Sequence, residues 1–241
     1  MAAIQSLSRQ MNSVALPFVF FVFFGLIVAI ILGAAWKKRK QRSADLCSVA
    51  DALGFNYAGN DSSRAPHVNT ALFRRGGSRR FRNVMNGTQG NYQVSIFDYS
   101  YTVGAGESSS TYTQTVTAIV QDRPLPRFEL RPEGFLGRIA EAFVRRDINF
   151  ETHPEFSKRY VLRGEDETAI RAMFTPALLS FFEMLPAEKK WHIEASDSTL
   201  LAYQVKVTVP PQEIRAFLDE ACSLANSLLA SSGRSASSGH A

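Results

Sequence analysis

Cys47 and Cys222 are the only cysteines in 241 residues, and no CxxC pair occurs. That excludes a disulfide scaffold and a thiolate zinc module. In a cytoplasmic domain both would be free thiols packed as small apolar groups. Histidine is almost as scarce: His67, His153, His192 and His240 show no metal-ligand spacing. No GxGxxG, P-loop, HExxH, EF-hand loop or kinase signature is present, and Ser108–Ser110 lacks the GxSxG pattern of a nucleophile elbow. No cofactor is therefore expected. No internal repeat is exact enough to define a solenoid.

Acidic residues are missing from the first 44 positions. Six of the 27 basic residues lie at or before residue 42, which leaves 21 bases against 22 acids in residues 43–241. The formal charge of +5 thus belongs to the N-terminal region. A nucleic-acid-binding domain carries its own basic excess, so that class of partner is excluded for the remainder.

The dominant feature is residues 14–36, which hold no charge and are mostly aliphatic or phenylalanine. As a helix they would extend about 34 Å, enough to cross a hydrocarbon core of about 30 Å. Trp36 closes the run as an interfacial indole, and Lys37, Lys38, Arg39, Lys40 and Arg42 follow as a collar of bases for anionic lipid. Only Arg9 precedes the run, so the positive-inside rule predicts a bitopic inner-membrane protein with its C-terminal domain cytoplasmic. A cleaved signal peptide fits poorly, because the run is too long and bases stand where a cleavage site belongs. Gly25, Ala29 and Gly33 recur every fourth residue and share one helix face, a pattern for self-association or for a protein partner.

The expected organisation is a short segment over residues 1–13, a transmembrane helix over 14–36 and a basic juxtamembrane stretch over 37–43. A soluble α+β domain follows over 44–229, with an alternative division into two near 121–127. Residues 230–241, rich in Ser, Gly and Ala, read as a disordered tail. Within the domain, residues 43–53 have helical spacing and residues 56–69 read as loop. Residues 91–102 and 111–120 alternate as strands around a Gly/Ser tip, with a further strand near 81–85 and a turn at Asn86-Gly87. Residues 128–130 and 160–163 are strand candidates. Residues 134–146, 167–174, those after Thr175-Pro176 and those after Pro210-Pro211 read as helices. Residues 191–195 and 199–209 predict a second hairpin. The fold class is therefore antiparallel sheet packed with helices.

Chemistry-bearing residues are few. Asp98 sits in an apolar strand and is expected to meet solvent or an arginine. His153, with Glu151 and Glu155, could form an accidental metal trio. Arg74, Arg75, Arg79, Arg80 and Arg82 crowd one stretch and read as a solvated turn with strand-edge charges. A lipid-contacting patch is the rival reading there.

The segments 83–87, 97–101, 113–116, 125–133 and 147–167 resemble uncharacterised bacterial proteins with one membrane helix and a soluble domain. That resemblance implies the architecture and no activity. The leading expectation is a membrane-tethered binding or scaffolding domain. The alternative is an enzyme acting on a membrane-proximal substrate, which requires Asp98, His153 and the 74–82 arginines to converge in one pocket.

Overall fold

The computed structural model describes the backbone of residues 2–134 and 147–237, and the side chains of 23–106, 108–134 and 147–230. The helix expected over 134–146 and the end of the tail lie outside these residues. The chain divides into two compact units, Met1–Asp45 and Leu46–Ala241.

The first unit belongs to α1, which spans Ala2–Leu53. From residue 23 to 32 its large apolar side chains stand open on every side, with Phe23, Ile30 and Leu32 each more than 60% exposed. Trp36 is 66% exposed, with the Lys40 ammonium 5.4 Å from its ring centre. Among the described residues no helix is long and apolar enough to cross a membrane. The side chains of residues 14–22, the first part of the expected span, lie outside the description.

The second unit is an α+β fold built on one eight-stranded sheet. Its strands are β1 (Asn56–Gly59), β2 (Gly77–Gln89), β3 (Tyr92–Val103), β4 (Ser110–Val120), β5 (Phe128–Pro132), β6 (Tyr160–Gly164), β7 (His192–Ser196) and β8 (Thr199–Tyr203). Their spatial order is β1-β2-β3-β4-β8-β7-β5-β6, and every neighbouring pair is antiparallel. Because β4 pairs with β8, the sheet runs unbroken across both sides of residues 121–127.

Alternation gives the sheet two apolar faces. One carries Val94, Ile96, Ile119, Leu130, Leu162, Ile193 and Ala202. It packs with Leu46 and Ala50 of α1 and with α3 (Pro154–Arg159), α4 (Glu167–Met173), α5 (Pro176–Met184) and α6 (Ile214–Ser237). Asp166 caps α4 by accepting from the Ala169 N–H at 2.9 Å. Thr175 stands before α5 without a capping bond, so proline at the first position sets that start alone. The opposite face carries Phe97, Tyr99, Tyr101, Val116, Ala118, Leu201 and Tyr203, and meets Ala65 and Leu72 from the segment holding the short α2 (Ala71–Arg74).

Two expectations are corrected here. β1 emerges from a stretch read as loop, because its pairing with β2 outweighs its Gly- and Asn-rich composition. Asn86-Gly87 is not a turn: β2 continues to Gln89 and reverses at Gly90. Gly87 is required for another reason, since a Cβ there would overlap the Phe55 ring. Gly87→Val is therefore expected to cost about 1–3 kcal/mol through overpacking, read as a lower thermal midpoint of the full-length protein. An unchanged midpoint would show that Phe55 can swing aside.

Candidate functional site

The face opposite the helices holds an ionic core that starts from strand register. Glu129 of β5 stands directly opposite Glu194 of β7, and Arg163 of β6 stands opposite Glu129 on its other side. Two carboxylates directly opposed across a ladder repel one another. The segment that crosses this face supplies the counter-charge: Arg75, 8% exposed, bonds Glu129 through Nη2, and that nitrogen lies 4.0 Å from Glu194. Glu194, 1% exposed, accepts the Leu72 N–H on both oxygens, at 2.8 and 3.1 Å. It also accepts the Tyr203 hydroxyl at 2.6 Å.

Electrostatics follow from this burial. Desolvation works against the charge on Arg75, but Tyr203, Glu194 and Glu129 outweigh it and hold the guanidinium protonated. Burial raises the Glu194 carboxyl above the usual range, against the opposing pull of Arg75 and the two hydrogen bonds. Burial also raises the Tyr203 and Tyr101 phenols, and pushes Tyr99 up to about 12. His192, stacked on Tyr203 with ring centres 5.2 Å apart, is pushed down to about 3 by burial and then by Arg75 and Arg131.

His192 gives the fold a pH dependence. Below pH 6.5, the group's ordinary value, the unfolded chain takes up a proton that the folded chain refuses. Its contribution is intact above 6.5 and is lost as pH falls toward about 3. Relative to His192→Phe, the native protein should lose about 1.4 kcal/mol per pH unit across that window in urea unfolding. Glu194 acts with the opposite sign, since its raised pKa favours the folded state on acidification. That contribution is common to both proteins, so the difference isolates the imidazole. Parallel pH curves would contradict the assignment.

Two hollows adjoin this core. One, lined by Thr70, Arg127, Glu129, Arg163 and Glu194, has a volume of about 10 Å³, room for a single water. The other is a groove of about 340 Å³ at the ends of β5, β7 and β8, bordered by Glu133, Glu188, Lys190, His192, Gln204 and Val207. Its size falls in the range of small-molecule sites. His192 links it to the ionic core.

The residues singled out in the sequence do not converge. Asp98 is buried rather than solvated, accepting from Asn83 Nδ2 at 2.8 Å and Thr115 Oγ1 at 2.9 Å. Thr115 Oγ1 in turn accepts the Val209 N–H, so Asp98 anchors the chain leaving β8. His153 lies in the helical layer, with Nδ1 3.2 Å from Glu183, which also accepts the Phe156 N–H. Burial opposes the charge on Glu183, yet His153 and that N–H keep its pKa low. Glu155 pairs with Lys158 instead of His153. Among the described residues no group of His, Cys, Asp and Glu is arranged to hold a metal. Cys47 and Cys222 are free thiols, and burial pushes Cys222 up to about 11. Of the arginine run, Arg75 alone is buried. Among the described residues, a Cβ at Gly25 or Gly33 would meet nothing within 4 Å.

Sequence reasoning missed the ionic core. Arg75 is hidden among exposed arginines, and Glu129 and Glu194 occupy alternate strand positions that read as solvent-facing.

No protein-family model matches the chain, and no curated protein sequence matches it. Among solved structures it is similar to the crystal structure of the mycobacterial trehalose monomycolate transport factor A, TtfA. The TM-score is 0.53 at 18% identity, over 79% of this chain and 95% of that one, a likeness of fold.

Proposed function

We propose that the protein is a single-pass inner-membrane protein whose cytoplasmic α+β domain binds or scaffolds a partner at the membrane. The observation that carries the tether is the all-round exposure of large apolar side chains from Phe23 to Leu32. A helix apolar on every side needs an apolar surrounding, and a bilayer supplies it. Trp36 and the bases from Lys37 to Arg42 fit the headgroup layer, where each base gains about 1 kcal/mol from anionic lipid. We place the chain with the uncharacterised single-pass bacterial proteins it resembles.

A binding role is favoured over catalysis by the ionic core. Its carboxylates are engaged by Arg75, Leu72 and Tyr203, and the space beside them admits one water. The groove beside His192 is the candidate ligand site. TtfA is named as a transport factor, which fits an accessory role of this kind.

Protease treatment of sealed spheroplasts tests orientation. The domain should resist digestion until the membrane is opened, and digestion from outside would overturn the topology. Self-association through Gly25, Ala29 and Gly33 belongs to the same reading. Gly25→Ile with Gly33→Ile is expected to abolish a membrane two-hybrid signal, and an unchanged signal would end the idea.

A further inference from the structure

β2 is much longer than the strand that covers it. β1 pairs with Val84, Met85 and Asn86, so among the described residues the outer edge of residues 77–82 has no neighbouring strand. Among the described residues no main-chain hydrogen bond covers that edge either. Residues 77–80 are exposed, and Phe81 and Arg82 are half-buried. The stretch lies between two irregularities in its pairing with β3, near Ser78 and Asn83, both with left-handed backbone.

The charge on β2 itself is of one sign along this edge, and Asp98 of β3, opposite Arg82, is held by Asn83 and Thr115. Between Asp61 and Asp98 the chain holds six arginines and no acid. Arg75 is neutralised within the ionic core. Arg79 folds back and donates to the carbonyl oxygens of Arg74, Arg75 and Gly76, which fixes its guanidinium beside the edge. Arg80 and Arg82, two residues apart, project to the same face of the strand. Arginine on an exposed edge guards against pairing with a second, equally basic copy. The same charge admits a complementary acidic strand, with main-chain hydrogen bonds for affinity and the arginines for selectivity.

We propose that the free edge of β2 over residues 77–82 takes up an extended acidic segment of a partner protein as a ninth strand. The two backbone irregularities confine regular pairing to a few residues, so charge must supply much of the affinity. A lipid surface is less well matched. A bilayer offers charge, but it leaves the outward N–H and C=O groups of the edge without partners that an extended chain provides. The proposal deepens the binding reading without depending on the tether. A chain that failed to sediment with membranes could still bind, and a tethered chain could still refuse the peptide.

The test uses full-length protein in neutral detergent micelles and a fluorescent peptide of alternating Glu and Val, read by anisotropy. The peptide should bind, and binding should weaken by about tenfold or more when Glu is replaced by Gln or when salt is raised. A peptide of identical charge with alternate amides N-methylated should lose a similar factor, because it cannot complete the ladder. Arg80→Glu with Arg82→Glu should abolish binding while the far-ultraviolet circular dichroism stays native. Absence of binding to the wild type would overturn the proposal, as would full binding of the N-methylated peptide or of the charge-reversed variant. Displacement of the peptide by phosphatidylglycerol vesicles in an Arg80- and Arg82-dependent manner would assign the edge to lipid instead.

Discussion

Replacing Arg75 with methionine is expected to lower the unfolding free energy by about 3–5 kcal/mol, measured by urea denaturation of the full-length protein in micelles. The substitution preserves much of the side-chain volume and removes the charge. It leaves Glu129 and Glu194 directly opposed across β5 and β7, one of them 1% exposed, with no cation between them. It also frees the segment that Leu72 and Arg75 hold down on the sheet. Adding Glu194→Gln should recover part of the loss, because one buried charge goes with it. The coupling between the two sites should exceed 1 kcal/mol in a double-mutant cycle, as for residues of one network. A loss below about 1 kcal/mol for Arg75→Met would place the pair in the class of surface ion pairs and contradict the burial described here.

The second large effect concerns the apolar helix. Leu26→Arg together with Ile30→Arg is expected to release the protein from membranes. Each arginine near the middle of a spanning helix opposes insertion by about 2.5–3.5 kcal/mol, and neighbouring apolar residues contribute only about 0.3–0.6 each in favour. Two such charges therefore cancel the contribution of about ten to twenty apolar residues. The readout is the fraction of full-length protein in the membrane pellet after an alkaline wash. Lys37→Gln with Lys38→Gln should act differently, weakening orientation and lipid contact while leaving the helix in the pellet. If the double arginine variant sediments like the wild type, the apolar run does not hold the protein there.

The legible parts of the fold were those with strong local periodicity. β3 and β4 follow from alternation in residues 91–102 and 111–120, where Val94 and Ile96 alternate with Phe97, Tyr99 and Tyr101 and come to rest on opposite faces. The second hairpin, the start of α4 at Asp166 and the proline start of α5 were equally local. The failures were non-local. β1 and the full length of β2 exist because of pairing, against a composition of Gly, Asn and Arg that argues for loop. Gly87 looked like half of a turn, yet it serves the close approach of Phe55 from more than thirty positions earlier. The ionic core was invisible because its members come from three distant stretches, and because alternation cannot tell a buried glutamate from a solvated one. Asp98 was noticed for the right reason, an acid in an apolar strand. Its surroundings of Asn83, Thr115 and the chain after β8 make it a structural node.

These residues share a theme with the second face of the sheet as a whole. Arg75, Glu129 and Glu194 there are paired within the fold, while the groove beside His192 and the arginine edge of β2 are the surfaces proposed for other molecules. In the proposed reading the apolar helix tethers those surfaces to a membrane, and the rest of that reading follows from the tether.

Sedimentation of the unmodified full-length protein tests it most directly. Cells are broken without detergent, the lysate is cleared of debris, and the supernatant is centrifuged at high speed after an alkaline carbonate wash. The protein is predicted to remain in the pellet and to leave it only when detergent is added. Recovery of a monodisperse species in the detergent-free supernatant would contradict the account.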